Sequence, residues 1–96
     1  MSLRVLQANL NHNRAAQDLF IHTMAERECG LGIVAEPYRV PAAHPCWAKD
    51  CSGSAAITWS ALQRSPPPCF RGEAEVGFVA VHWGLISVVG VYTPPS

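Results

Sequence analysis

The chain has 96 residues, 49% of them apolar and 15% charged, with a formal net charge of zero. That balance excludes a disordered segment, an acidic solvating tail and a polybasic clamp for nucleic acid. One small domain, or a piece of a larger one, is expected, because so short a chain buries only about two-thirds of its unfolded surface. Low charge density also points to apolar surface that faces more protein. Cys29, Cys46, Cys51 and Cys69 accompany an opening, Met1-Ser2-Leu3-Arg4, that lacks the apolar stretch of a signal peptide, so a reducing, intracellular setting is expected. The richest apolar stretch, 77–91, is interrupted by His82, Trp83 and Gly84 and falls short of the roughly 20 residues of a membrane span, so no membrane partner is expected.

Residues 3–8 (LRVLQA) alternate, with Leu3, Val5 and Gln7 on one face and Arg4, Leu6 and Ala8 on the other, which predicts a strand. The asparagine-rich stretch 9–13 suits a strand-to-helix turn, with Asn13 as the helix N-cap. From 14 to 28 the spacing is helical: Ala16, Phe20 and Met24 fall four apart. Cys29-Gly30 ends the helix, with Gly30 expected in the left-handed conformation. Residues 31–35 (LGIVA) are too short for a helix and, set between Gly30 and Pro37, read as a buried parallel strand. Strand, helix and strand make a β-α-β unit that brings Asn9 and Glu36 to one rim of a sheet.

Residues 38–53 hold two prolines and no clear period, and read as a long surface loop. Residues 54–59 resume as a strand. The stretch 65–68 (SPPP) is a stiff connector. Two further strands, 76–82 and 85–92, are joined through Trp83-Gly84 as an antiparallel hairpin.

Asn9, Asn11, Glu36 and Tyr92 all stand at or just beyond a predicted strand end. In open α/β folds ligands gather at the carboxyl ends of strands, so a carboxylate there is placed to hold a hard cation. Phosphodiester cleavage needs a divalent cation to neutralise phosphate oxygens and activate water, with polar groups to orient both. Plainer readings exist for each: Asn9 and Asn11 as turn residues, Tyr92 as an amphipathic strand end, Glu36 as a loop charge.

The stretches LQANLN (6–11), IVAEPY (33–38), GSAAI (53–57) and VVGVYTPP (88–95) resemble the opening half of the endonuclease/exonuclease/phosphatase superfamily. The wording Asn-Leu-Asn-His and Ala-Glu-Pro-Tyr is most similar to the apurinic-type endonuclease domain of non-LTR (LINE-type) retrotransposons. The resemblance runs over nearly the whole chain. It implies the N-terminal part of a four-layer α/β sandwich, with two mixed sheets face to face and helices outside, so that 1–96 is a partial domain. It further implies Glu36 as the metal-binding carboxylate, Asn9 as the amide supporting the metal and phosphate site, and Tyr92 as the phosphate contact. Asn11 stands where many relatives carry a metal-binding aspartate, and an amide is a weaker ligand for magnesium. The implied partners are DNA, the remainder of the endonuclease domain and a reverse transcriptase, in a nuclear setting for the intact parent. The superfamily's later Asp-x-Asn and Ser-Asp-His elements do not occur in the sequence, so the chain alone is expected to be inactive.

Two weaker constellations remain. His44-Pro45-Cys46 with Cys51 superficially resembles a zinc site, but free cysteines in a loop are the expectation. Trp47, Lys49, Trp59, Arg64 and Arg71 could line a nucleic-acid face, against a plain reading with Trp59 and Trp83 in a core. The rival functions are a non-catalytic retroelement remnant and a phosphatase-type member of the same superfamily.

Overall fold

In the computed structural model, residues 4–40, 46–60 and 69–93 are described. The first strand, β1 (Val5–Asn9), lies parallel to β2 (Leu31–Ala35), in a register that pairs Asn9 with Ala35. Between them runs α1 (Arg14–Glu26), which Asn13 caps by accepting the Ala16 N–H at 2.9 Å on its side-chain oxygen. The expected β-α-β order is therefore present, and both strand ends share one rim.

The helix ends two residues earlier than its spacing suggests. Cys29 N–H reaches back to Met24 O at 2.9 Å and Glu28 N–H to Ala25 O at 3.3 Å, a Schellman closure with Glu28 as its left-handed residue at φ 53°. Gly30 is not the left-handed residue, contrary to expectation; its N–H instead donates to Arg4 O at 2.9 Å and leads into β2. Burial decided the assignment, because Cys29 and Met24 pack in the same cluster once the chain turns at Glu28.

The stretch 38–53 is not wholly a loop. It contains β3 (Trp47–Lys49), paired antiparallel with β4 (Ala55–Trp59), which in turn pairs antiparallel with β2. A three-residue strand is too short to show a period, and for that reason the sequence hid it. The first sheet thus has the order β1-β2-β4-β3. A second sheet, β5-β6-β7, is built from β5 (Cys69–Glu75), β6 (Phe78–Trp83) and β7 (Ile86–Val91), all antiparallel. β5 was not foreseen, since Gly72 and its charges break any alternation and the pairing shifts register between Arg71 and Ala74. Val76 and Gly77 form the β5 to β6 turn rather than the start of a strand, and Gly84-Leu85 turns β6 into β7. The expected connector at 65–68 lies outside the described residues.

Alternation along the central strands sorts side chains into two layers of core. Val34 and Ala56 face the helix and meet Phe20, Met24, Leu10 and Trp47. Leu31, Ile57, Ala48 and Ala55 face the second sheet and meet Val79, Val81 and Trp83. Helix, sheet and sheet are three successive layers of the expected sandwich. Gly32 lets the helix approach, because a Cβ there would stand 2.5 Å from Met24 Sδ and 2.7 Å from Phe20 Cε1.

Asp50 ties the two sheets together. It is 1% exposed, and it accepts Ser54 N–H at 2.7 Å, Ala55 N–H at 3.3 Å, Ser52 Oγ–H at 2.7 Å and, from the second sheet's turn, Gly77 N–H at 2.7 Å. Burial alone would raise its pKa, but these bonds outweigh burial and hold the carboxyl below its ordinary range.

Candidate metal centre

Glu36 is the first residue beyond β2, and its backbone is pinned on both sides. Its N–H donates to Ser54 O at 2.8 Å, and its carbonyl accepts His12 N–H at 2.8 Å. These bonds hold Glu36 at φ 50°, a left-handed conformation that costs a non-glycine residue on the order of 1 kcal/mol or more. The outcome is a carboxylate aimed along the rim, its side chain 21% exposed.

Three other side chains meet it there. Asn9, last in β1, donates from Nδ2 to Glu36 Oε2 at 2.9 Å. Its Oδ1 accepts Asn11 N–H at 2.9 Å, so one amide both fixes the carboxylate and closes the turn that follows. Tyr92 follows β7 in the other sheet, anchored by its N–H on Gly77 O at 2.8 Å. Partial loss of solvent first, then the charge of Glu36 and a hydrogen bond to it, hold the Tyr92 phenol above its ordinary pKa. His12, which sequence reasoning left without a role, places Nε2 3.5 Å from Glu36 Oε1 and Nδ1 3.1 Å from Pro37 O. Its position one residue after Asn11 in the rim turn was the available signal.

The structure therefore brings Asn9, Glu36 and Tyr92 to one place from three different strand ends. Asn11 is joined to them through its main chain: it sits exposed in the turn at φ 50° and reaches the cluster by its N–H. Glu36 Oε2 is engaged by Asn9, and Oε1 faces His12 Nε2. Glu36 is the one carboxylate bonded within this cluster among the described residues.

The other constellations do not converge. Among the described residues no group of three or more His, Cys, Asp or Glu side chains could hold a metal, and Cys46 and Cys51, beyond opposite ends of β3, form no disulfide. His44 and Arg64 lie outside the described residues. Trp47 is buried on the helix side, which corrects the nucleic-acid face that included it. Arg71 lies over the Trp59 ring at 5.9 Å and donates from Nη2 to Trp47 O at 2.7 Å. No helix among the described residues is long and apolar enough to cross a membrane.

Two face-to-face sheets with a helix on the outer face of the first define a layered α/β fold, with an acid at its rim. No known family's profile and no curated protein matches the sequence. Among solved structures the chain is similar to the endonuclease domain of TRAS1, a telomere-specific non-LTR retrotransposon, with a TM-score of 0.79 at 22% identity. The match covers 99% of this chain and 46% of that one, so the chain spans a little under half of the similar structure. The fold is the one the sequence resemblance implied.

Proposed function

We propose that this chain is the N-terminal part of a divalent-metal-dependent DNA endonuclease domain of the non-LTR retrotransposon kind. The observation that carries the reading is the meeting of Asn9 and Tyr92 on the Glu36 carboxylate. A bound magnesium ion would neutralise phosphate oxygens and ease ionisation of an attacking water. Glu36 would hold that ion, with Asn11, in the turn after β1, as a weaker neighbour. Asn9 keeps the carboxylate in one rotamer, and Tyr92 offers its hydroxyl to a phosphate oxygen.

One carboxylate gives a weak site for a hard cation, and in this reading the remaining groups of such a centre would come from the part of the domain beyond this chain, which matches 46% of the similar structure. The lone chain is therefore inactive in this reading, and its partners are DNA, the rest of the domain and a reverse transcriptase that primes on the nick. The test is nicking of supercoiled plasmid in magnesium by a hybrid in which this chain replaces the matching segment of the TRAS1 domain. The hybrid is expected to nick and its Glu36→Gln form to fail. Equal nicking by both forms would refute the role of Glu36, and nicking by the 96-residue chain alone, lost in Glu36→Ala, would refute its incompleteness.

A further inference from the structure

Glu36 and Tyr92 belong to different sheets, yet their main chains are seated in the same way. Glu36 is the first residue past β2, and its N–H donates at 2.8 Å to the carbonyl of Ser54, the residue just before the antiparallel β4. Tyr92 is the first residue past β7, and its N–H donates at 2.8 Å to the carbonyl of Gly77, the residue just before the antiparallel β6. Each site residue therefore hangs from the turn that opens its neighbouring strand.

One side chain holds both turns. Asp50 accepts Ser54 N–H at 2.7 Å on Oδ1 and Gly77 N–H at 2.7 Å on Oδ2. The path Glu36, Ser54, Asp50, Gly77, Tyr92 thus has a hydrogen bond at every step and crosses from one sheet to the other through a single carboxylate. Cys51 N–H adds a bond to Glu75 O at 3.1 Å between the same two turns. Bonds to a carboxylate are the stronger kind, and Asp50 is buried, so water does not compete for them. Apolar packing of Val79, Val81 and Trp83 on Leu31 and Ile57 holds the sheets together but has no direction, whereas these bonds fix distance and angle.

Resting on the reading of Glu36 and Tyr92 as parts of one site, we propose that Asp50 is a positioning residue for that site, which sets Tyr92 against Glu36 by gripping the two turns from which they hang. A displacement of about 1 Å at a reacting centre can cost on the order of 100-fold in rate, so alignment across two separate sheets is worth a dedicated side chain. An amide has one oxygen, so Asp50→Asn keeps the shape and gives up one arm. With its oxygen on Ser54 and Ala55 N–H, its NH2 meets Gly77 N–H, donor against donor, and the Tyr92 side of the path is released.

The test has two parts. In NMR of the 96-residue chain, the nuclear Overhauser contact between the Tyr92 ring and the Glu36 methylenes is expected to be lost in Asp50→Asn and kept in Ser52→Ala, which removes a bond to Asp50 but leaves both turns gripped. In the hybrid endonuclease, Asp50→Asn is expected to lower plasmid nicking by about tenfold or more, but by less than about twofold once Tyr92→Phe is present, while Ser52→Ala leaves nicking unchanged. A merely structural role would multiply the two losses instead, and that result, or a Tyr92 to Glu36 contact that survives Asp50→Asn, overturns the inference while Tyr92 keeps its place in the site. Full nicking by Tyr92→Phe alone would bring down the underlying reading of Tyr92. The unsubstituted chain gives a check that needs no variant: in native-state hydrogen exchange the N–H groups of Glu36, Ser54, Gly77 and Tyr92 are expected to share one protection class, and exchange about tenfold faster at Glu36 or Tyr92 than at Ser54 and Gly77 overturns the inference.

Discussion

Asn9 Nδ2–H donates to Glu36 Oε2 at 2.9 Å, joining the last residue of β1 to the first residue beyond its parallel neighbour. The same Asn9 side chain accepts Asn11 N–H, so a single amide braces both the acid and the turn. Asn9→Ala removes both bonds. Because they are exposed, the expected loss is only about 1 kcal/mol in urea unfolding, whereas magnesium affinity at the rim falls measurably. Unchanged metal affinity would mean that Asn9 does not position Glu36.

Asp50 is the principal polar support between the sheets. Asp50→Ala leaves Ser54, Ala55 and Gly77 N–H groups without their acceptor, and about 3 kcal/mol of stability is expected to go with it. Its folded-state pKa lies below the ordinary 3.8, so its stabilising contribution is full above that value and is lost as pH falls through the folded one. Acid unfolding followed by circular dichroism should show this loss below about pH 4 in the native chain and lose that component in Asp50→Asn. An identical acid profile in both would contradict the assignment.

Gly32 sets the distance between α1 and its sheet. Gly32→Ala brings a methyl against Met24 and the stiffer Phe20 ring, for an expected cost of about 1 to 3 kcal/mol. Combining it with Met24→Ala should cost less than the sum of the two single changes, because the new methyl enters the space that Met24 vacates. Strict additivity in denaturant titrations would argue against this packing.

Among the described residues β7 pairs with β6 alone, and it carries Val89 at 51% and Val91 at 65% exposure. Such an edge is a template for further strands. The lone chain is expected to self-associate in sedimentation velocity, and Val91→Lys to shift it toward monomer. A native monomer with a sharp cooperative melt would contradict the expectation.

Legibility of the fold followed the regularity of each element. The helix face of Ala16, Phe20 and Met24, the Asn13 cap and the strand 31–35 were open to reading because each carries a period or a cap over several residues. β3 and β5 were hidden, one by its three-residue length and the other by a register shift, and both were fixed by pairing with strands elsewhere in the chain. At the rim, Asn9, Glu36 and Tyr92 could be named from strand ends and a family likeness. The contact of His12 with Glu36 could not, because it depends on a left-handed turn whose φ of 53° no spacing rule reports. Asp50 was missed for a related reason: its partners include Gly77, 27 residues away.

The most direct test of the central claim is paramagnetic broadening of the chain's amide spectrum by trace manganese. Signals from Asn9, Asn11, Glu36 and Tyr92 are expected to broaden first and together, and Glu36→Gln to abolish the effect while the spectrum stays folded. Broadening that begins at another surface, or that survives Glu36→Gln unchanged, would contradict it.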